Sequence, residues 1–379
     1  MKRRILANAL LAILPIAAQE LQQGKVVERV VCRSDERQSY ALYLPTSYSA
    51  ERAWPIVYCL DPGARGRAPV ERFAEAAEKY GYVIAGSNNS RNGPFPPIVE
   101  AIGAMVVDTH MRFNIDDSRL YAAGHSGGAM AALEWAQNGK LAGVVACSST
   151  HAANGLPQQN FRIFGAAGID DFAYYNMHAL SRGWAKRGIE NRFREFPGGH
   201  EWLPADAAGE ALQFFAGKLP PAPAADSKEV RKLAARFEQM TSQLFRAEEA
   251  ERSSLLRQYT RDAAKTSNNP ERRLARQILD SAYIANAEEA RERLAKKEYA
   301  MAARSWEVNV QIRPANAGAW YSLAVAQAAS GNKRRALEAL EKAAANGYKD
   351  AARMDRDPLL APVRNDRRYR AVLESLTKD

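Results

Sequence analysis

The stretch Gly124-His125-Ser126-Gly127-Gly128 constrains the fold of this chain more than any other. It follows a strand-like run, Arg119–Ala123, and leads into a helix-like run, Ala129–Trp135. A serine with glycines two residues before and two after marks a sharp strand-to-helix turn, because side chains at the flanks would meet neighbouring backbone. Such a turn holds the serine hydroxyl exposed at the top of a sheet. The pattern alone recurs by chance in roughly one chain in eight of this size. Its value depends on whether the rest of the sequence supplies a sheet covered by helices.

The sequence does supply one. Between Lys25 and Lys218, short apolar runs rich in Val, Ile and Tyr predict strands at Val26–Arg33, Gln38–Leu44, Pro55–Leu60, Tyr82–Ser87, Arg119–Ala123, Ala142–Ser148, Phe161–Ala166 and Arg192–Phe196. Helices are expected at Val70–Tyr80, Pro97–Arg112, Gly127–Gln137, Ala173–Arg187 and Glu201–Lys218. Two opening strands joined as a hairpin, followed by β-α-β units, imply a mostly parallel sheet with helices on both faces.

The segment Leu219-Pro220-Pro221-Ala222-Pro223-Ala224-Ala225 reads as a semi-rigid extended spacer. Beyond it strand signals vanish and the periodicity is helical. The expected organisation is a signal peptide over 1–18, an α/β domain over 24–218, a linker over 219–227 and a helical domain over 228–379. Within the last, Ala302, Trp306 and Pro314 are echoed 34 positions later by Ala336, Leu340 and Tyr348. With Trp320, Leu323, Ala324, Gly331 and Ala343, this resembles the tetratricopeptide repeat. The earlier copy keeps only its second helix. So few repeats are not stable alone, so the helices from Ser227 to Ala295 should extend the stack.

At 379 residues the chain has room for two domains, and its net charge is +10. Most of the basic excess lies beyond Asp226, interspersed with acids, as on a solvated helical surface. Lys2-Arg3-Arg4, the apolar stretch Ile5–Ile16 and the small residues Ala17-Ala18 read as a secretory signal, which places the protein outside the cytoplasm, secreted or periplasmic. The apolar stretch is too short to span a membrane comfortably, so no span is expected once it is cleaved. Three cysteines make no disulfide framework, and Cys59 and Cys147 read as small core residues. Zinc-ligand spacing, Walker and Rossmann phosphate loops and a basic-aromatic stripe are all missing, so no metal, cofactor or nucleic acid is expected.

With a serine on such a turn, the chain order is nucleophile, acid, base. Ser126 is the candidate nucleophile. Of the five histidines, His110 precedes it, His125 adjoins it, His151 comes too early and His178 falls mid-helix. His200, in Pro197-Gly198-Gly199-His200-Glu201-Trp202 after the last strand, remains as the base. The acid should follow the preceding strand, where Asp170 and Asp171 both qualify; the one not used would cap the next helix. An oxyanion hole needs two N–H donors. Gly127 supplies one, and Gly63 or Ala64, in the loop Leu60–Gly66 after the third strand, the other; Pro62 has no N–H. In that loop Asp61 either pairs with Arg65 or leaves it facing substrate. The loop Ser87–Pro94 lies at the same carboxyl edge of the sheet, with Arg91 and Asn92 as candidate substrate contacts. His125, Tyr174, Tyr175 and Trp202 are further candidates, the last three as an aromatic wall or as core.

Residues Lys25–Lys218 resemble a compact α/β-hydrolase of the esterase and polyhydroxyalkanoate-depolymerase-like group, through Gly124-His125-Ser126-Gly127-Gly128, the Asp170-Asp171 block and Gly199-His200-Glu201-Trp202. That resemblance, with the spacing to Tyr174-Tyr175-Asn176-Met177, favours Asp171 as the acid. Asp61-Pro62-Gly63 departs from the His-Gly run common in the group. The implied activity is cleavage of carboxylic esters through a Ser126-His200-Asp171 triad and an acyl-enzyme, with the repeats binding a protein partner. Only Ser149–Asn160 separates the sixth and seventh strands, leaving no room for a cap, which suits bulky or polymer-linked esters. The rival expectations are a serine peptidase of the same fold and a catalytically inert scaffold.

Overall fold

All eight strands and all five helices expected before Lys218 form. This computed structural model describes residues 21–151, 153, 155–157, 159–265 and 269–377. The expected signal peptide, 1–18, lies outside the described residues. The strands are β1 (Val26–Val31), β2 (Ser39–Tyr43), β3 (Trp54–Leu60), β4 (Val83–Ser87), β5 (Ile115–His125), β6 (Gly143–Cys147), β7 (Arg162–Gly168) and β8 (Glu190–Phe196). They make one sheet in the order β1-β2-β4-β3-β5-β6-β7-β8. β1 and β2 pair antiparallel, as do β2 and β4, while β3–β4, β3–β5, β5–β6 and β6–β7 are parallel. This mixed, helix-flanked sheet is the α/β-hydrolase architecture that the sequence implies. β2, β3, β4 and β6 are buried along their whole length, which is why they read as unbroken apolar runs.

The flanking helices are α1 (Arg67–Tyr80), α2 (Phe95–Arg112), α3 (Gly127–Asn138), α4 (Tyr174–Lys186) and α5 (Ala205–Phe215). α5 starts four residues later than expected, because Pro204 excludes the residue before it from helical geometry. β5 starts four residues earlier. Its polar opening, Asp116-Asp117-Ser118, reads as a turn, and the pairing with β3 is irregular there. Cys32, Cys59 and Cys147 are all buried, and none of them is in a disulfide.

Past the linker the chain is helical, with α6 (Lys228–Arg246), α7 (Glu249–Ala263), α8 (Pro270–Ala295), α9 (Tyr299–Ile312), α10 (Ala317–Ala329), α11 (Lys333–Ala345), α12 (Ala351–Arg356), a 3-10 turn (Pro358–Val363) and α13 (Arg367–Leu376). α9 and α11 start 34 positions apart, and the small and large residues paired in the sequence, Ala302 with Ala336 and Trp306 with Leu340, are all buried in one apolar cluster. Tyr348 stacks on Tyr321 with ring centroids 4.4 Å apart.

By internal contacts the chain divides into two units. One comprises Met1–Ala166, Gly183–Arg194 and Trp202–Pro223; the other comprises Ala167–Arg182, Glu195–Glu201 and Ala224–Asp379. The second unit therefore takes the stretches that follow β7 and β8 together with all the later helices. Within it, the Tyr175 ring lies 5.5 Å from that of Phe237 in α6, and the Ala224 amide donates to Ser181 Oγ at 2.9 Å. Within the first unit, the linker is docked rather than loose. The Ala222 amide donates to the Asn191 carbonyl at 3.0 Å, and the Phe193 amide to the Ala222 carbonyl at 2.9 Å.

Candidate active site

In the first unit, β5 ends at His125 and α3 begins at Gly127, and the single residue between them makes the whole turn. Ser126 has φ 54° and ψ −123°, a strained backbone for a residue with a side chain. The surroundings hold it there. A Cβ on Gly124 would lie 2.1 Å from the Gly128 carbonyl oxygen, and one on Gly128 would lie 1.9 Å from that of Leu60. The Ser126 amide donates to the Cys147 carbonyl at the end of β6 at 2.9 Å. Its own carbonyl accepts from the Ala129 and Met130 amides and starts α3. Gly127 sits in the first turn, where amides lack an intrahelical acceptor and the helix dipole favours negative charge.

The loop after β3 is organised around Asp61, which is fully buried. Its Oδ1 accepts from the Gly63 amide at 2.8 Å and from Arg65 Nε at 2.9 Å. Its Oδ2 accepts from Arg65 Nη2 at 3.0 Å and from the Trp202 indole at 2.8 Å. Burial pushes the carboxyl up, but the bonds from Arg65, Trp202 and Gly63 outweigh it and hold Asp61 below the ordinary aspartate value. These contacts correct the expected donor. The Gly63 amide is engaged by the Asp61 carboxylate, and the Ala64 amide donates to the Asp61 carbonyl at 3.1 Å. Both close the turn instead of pointing at a substrate. Arg65 is the partner of Asp61. The neighbouring loop joins this one through a bridge between Gly63 and Arg91, and through the Asn92 amide, which donates to the Pro62 carbonyl at 2.9 Å. The Asn92 carboxamide then lies on Gly127. A Cβ built there would meet Asn92 Oδ1 at 2.0 Å and Nδ2 at 3.1 Å. Arg91 is exposed.

In the second unit, the loops after β7 and β8 are laced together. The Ile169 amide donates to the Phe196 carbonyl and the Asp170 amide to the Gly198 carbonyl. A Cβ on Gly168 would lie within 2.5 Å of the carbonyl oxygens of both Gly198 and Gly199. The lacing brings His200 Nδ1 to 2.9 Å from Asp171 Oδ1. Asp171 is fully buried, and its Oδ1 also accepts from the Ala173 amide at 2.8 Å. The acid that meets the histidine therefore also closes the turn that leads into α4. Asp170 does not cap, contrary to expectation: it is 38% exposed and stands 3.5 Å from Arg273 Nε. With Nδ1–H on a carboxylate, the lone pair of the neutral imidazole is on Nε2, the form that accepts a proton. The Phe172 ring lies 4.4 Å from that of His200.

Three other histidines stand by carboxylates of their own, His110 by Asp117, His151 by Glu134 and His178 by Glu195. His125 is buried with its ring 5.9 Å from that of Trp202. Of the two readings left open for the aromatic residues, wall or core, their packing is that of core. Trp202 is buried and holds Asp61, Tyr174 packs on Tyr175 and His178, and Tyr175 packs on Phe237. Among the described residues no group of acids, cysteines and histidines could hold a metal ion, and no helix is long and apolar enough to cross a membrane.

No family model matches the sequence, and no curated protein matches it. Solved structures do. A ferulic acid esterase is 18% identical, over 52% of this chain and 98% of its own, with TM-score 0.42. Esterase B of Lactobacillus rhamnosis is 14% identical, over 51% and 85%, with TM-score 0.43. The fluorophosphonate-binding serine hydrolase F of Staphylococcus aureus is 14% identical, over 47% and 92%, with TM-score 0.39.

Proposed function

We propose that this chain is a serine hydrolase that cleaves carboxylic esters. The observation that carries the proposal is the backbone of Ser126. A residue with a side chain sits at φ 54° between a strand and a helix, and the glycines around it leave no looser alternative. Strain of this kind persists where it presents a reactive group. In the proposed reaction, the Ser126 hydroxyl attacks the acyl carbon as His200 Nε2 takes its proton. The tetrahedral oxyanion collapses, and the alcohol leaves with that proton. Water, deprotonated by His200, then releases the acid from the acyl-serine. Asp171 fixes the imidazole tautomer and stabilises the imidazolium. The Gly127 amide is one oxyanion donor, and we assign the other to the Asn92 carboxamide that lies on Gly127.

The connection between β6 and β7, residues 148–161, carries no helix among its described residues. An uncapped cleft suits bulky or polymer-linked esters, and we extend the proposal to them. The helical repeats, of tetratricopeptide type on their spacing, would dock a protein partner. The N-terminal basic and apolar stretches would direct the chain to the periplasm or the medium. Fluorophosphonate labelling tests the reading: the native chain should label and Ser126→Ala should not. A series of esters of increasing acyl bulk, with peptides alongside, should show hydrolysis of the bulky esters and none of the peptides. Labelling that survives in Ser126→Ala refutes the assignment, and an absence of labelling in the native chain favours an inert scaffold.

A further inference from the structure

The loop that carries Asp171 is held from a distant part of the sequence. Gln277 lies in α8, more than a hundred residues beyond that loop, and is fully buried. Its neighbours on the helix, Leu274, Ala275 and Ile278, are apolar and buried as well. Burying a carboxamide among them is unfavourable unless its N–H groups find acceptors. They do. Nε2 donates to the Asp171 carbonyl at 3.0 Å and to the Ile169 carbonyl at 3.2 Å. Arg273, one turn earlier on the same face of α8, stands by Asp170. One helix face thus contacts Ile169, Asp170 and Asp171 in succession.

The remaining bonds to this loop come from the loop after β8, through the Ile169 and Asp170 amides, and from the turn itself. The Asp171 amide donates to the Gly168 carbonyl, and the Asp171 carbonyl also accepts from the Tyr174 amide. Those bonds shape the turn and tie the two loops to each other, but none of them anchors the loop to a later helix. The structure assigns that task to Gln277, as a positioning residue acting through Asp171 on the His200 imidazole, an inference that rests on the hydrolase reading above. It gives α8 a part in the reaction apart from partner binding. A carboxylate displaced along the Nδ1–H direction holds the imidazole less well, and the loss appears in the transition state, where the imidazolium forms.

The test uses the full chain. Gln277→Met keeps the length and bulk of the side chain and removes both donors. It should lower kcat and the fluorophosphonate labelling rate about ten-fold while leaving KM within about two-fold. Gln277→Asn, one methylene shorter, should fall in the same direction, which keeps the test open if the Met variant folds poorly. The decisive arm repeats Gln277→Met on an Asp171→Ala background. A residue acting through Asp171 has nothing left to position there, so the labelling rate should change by less than about two-fold. An equal fall on both backgrounds means a merely structural role and overturns the inference, as does an undiminished kcat in both Gln277 variants. Ser126→Ala serves as the control on the underlying reading. If it stays active, the hydrolase reading fails whatever Gln277 does; if it is dead while the Gln277 variants are undiminished, only the positioning role fails.

Discussion

Asp61→Asn tests how the loop after β3 is built. The native carboxylate is fully buried and accepts on both oxygens. Asparagine has one oxygen and one NH2 group. With the oxygen toward Gly63 and Arg65 Nε, the NH2 replaces Oδ2 and opposes the Trp202 indole N–H and Arg65 Nη2, donor against donor. Trp202 is 5% exposed, so its stranded N–H costs about 1–3 kcal/mol. Loss of the charge on the Gly63 bond adds about 1 kcal/mol. The Arg65 side chain is 65% exposed, so losing its pairing adds little after screening. The sum is about 3 kcal/mol, measurable by urea unfolding followed through tryptophan fluorescence.

The pH dependence is a second, independent check. The Asp61 pKa is lower folded than unfolded, so its contribution is complete above the ordinary value of 3.8 and is lost as pH falls through the folded value. The gap between native and variant should stay flat from about pH 8 to pH 5 and close only in stronger acid. A loss below about 0.5 kcal/mol, the size of an ordinary surface change, refutes the reasoning, and so does a gap that drifts between those two pH values.

Three further outcomes follow from the geometry. Asp171→Asn should lower kcat by about 10⁴-fold with little change in KM, whereas Asp170→Asn, which alters only a partly exposed contact with Arg273, should stay within a few-fold of native in the same steady-state assay. Asn92→Ala should lower kcat by about 10²–10³-fold with folding unchanged by circular dichroism, and native kcat would remove Asn92 from the oxyanion site. Gly128→Ala puts a methyl group 1.9 Å from the Leu60 carbonyl oxygen. It should destabilise the elbow beyond the common range of about 0.5–3 kcal/mol, read as lost soluble yield or a lowered unfolding midpoint.

The sheet was legible because β2, β3, β4 and β6 are buried along their length and leave uninterrupted apolar runs. The elbow was legible because close backbone approach can be met only by glycine, which is visible in any sequence. His200 could be reached by elimination among five histidines. The preference for Asp171 over Asp170 rested on the resemblance and the spacing to Tyr174-Tyr175-Asn176-Met177, because what separates the two in the structure, burial and lacing to the next loop, is not a local property. The fate of the Gly63 and Ala64 amides was partly legible. An aspartate before Pro-Gly tends to bond its own turn, and Asp61 does so. Gln277 left no trace, since a glutamine in an alanine-rich helix looks like any surface position until the acid loop is placed against it.

The docked linker has a consequence for how molecules of this protein meet one another. β8 stands at the end of the strand order, and an uncovered end strand is a template on which a second chain can add. Residues 220, 221 and 223 are prolines without an N–H, and the amide of Ala222 between them is already directed at Asn191. The segment pairs with β8 over a short stretch and offers its outer side almost no donors for continuing the ladder. A linker that reads as a spacer thus also guards the molecule against edge-to-edge association, and replacing its prolines by residues with a free N–H should raise aggregation before it changes catalysis.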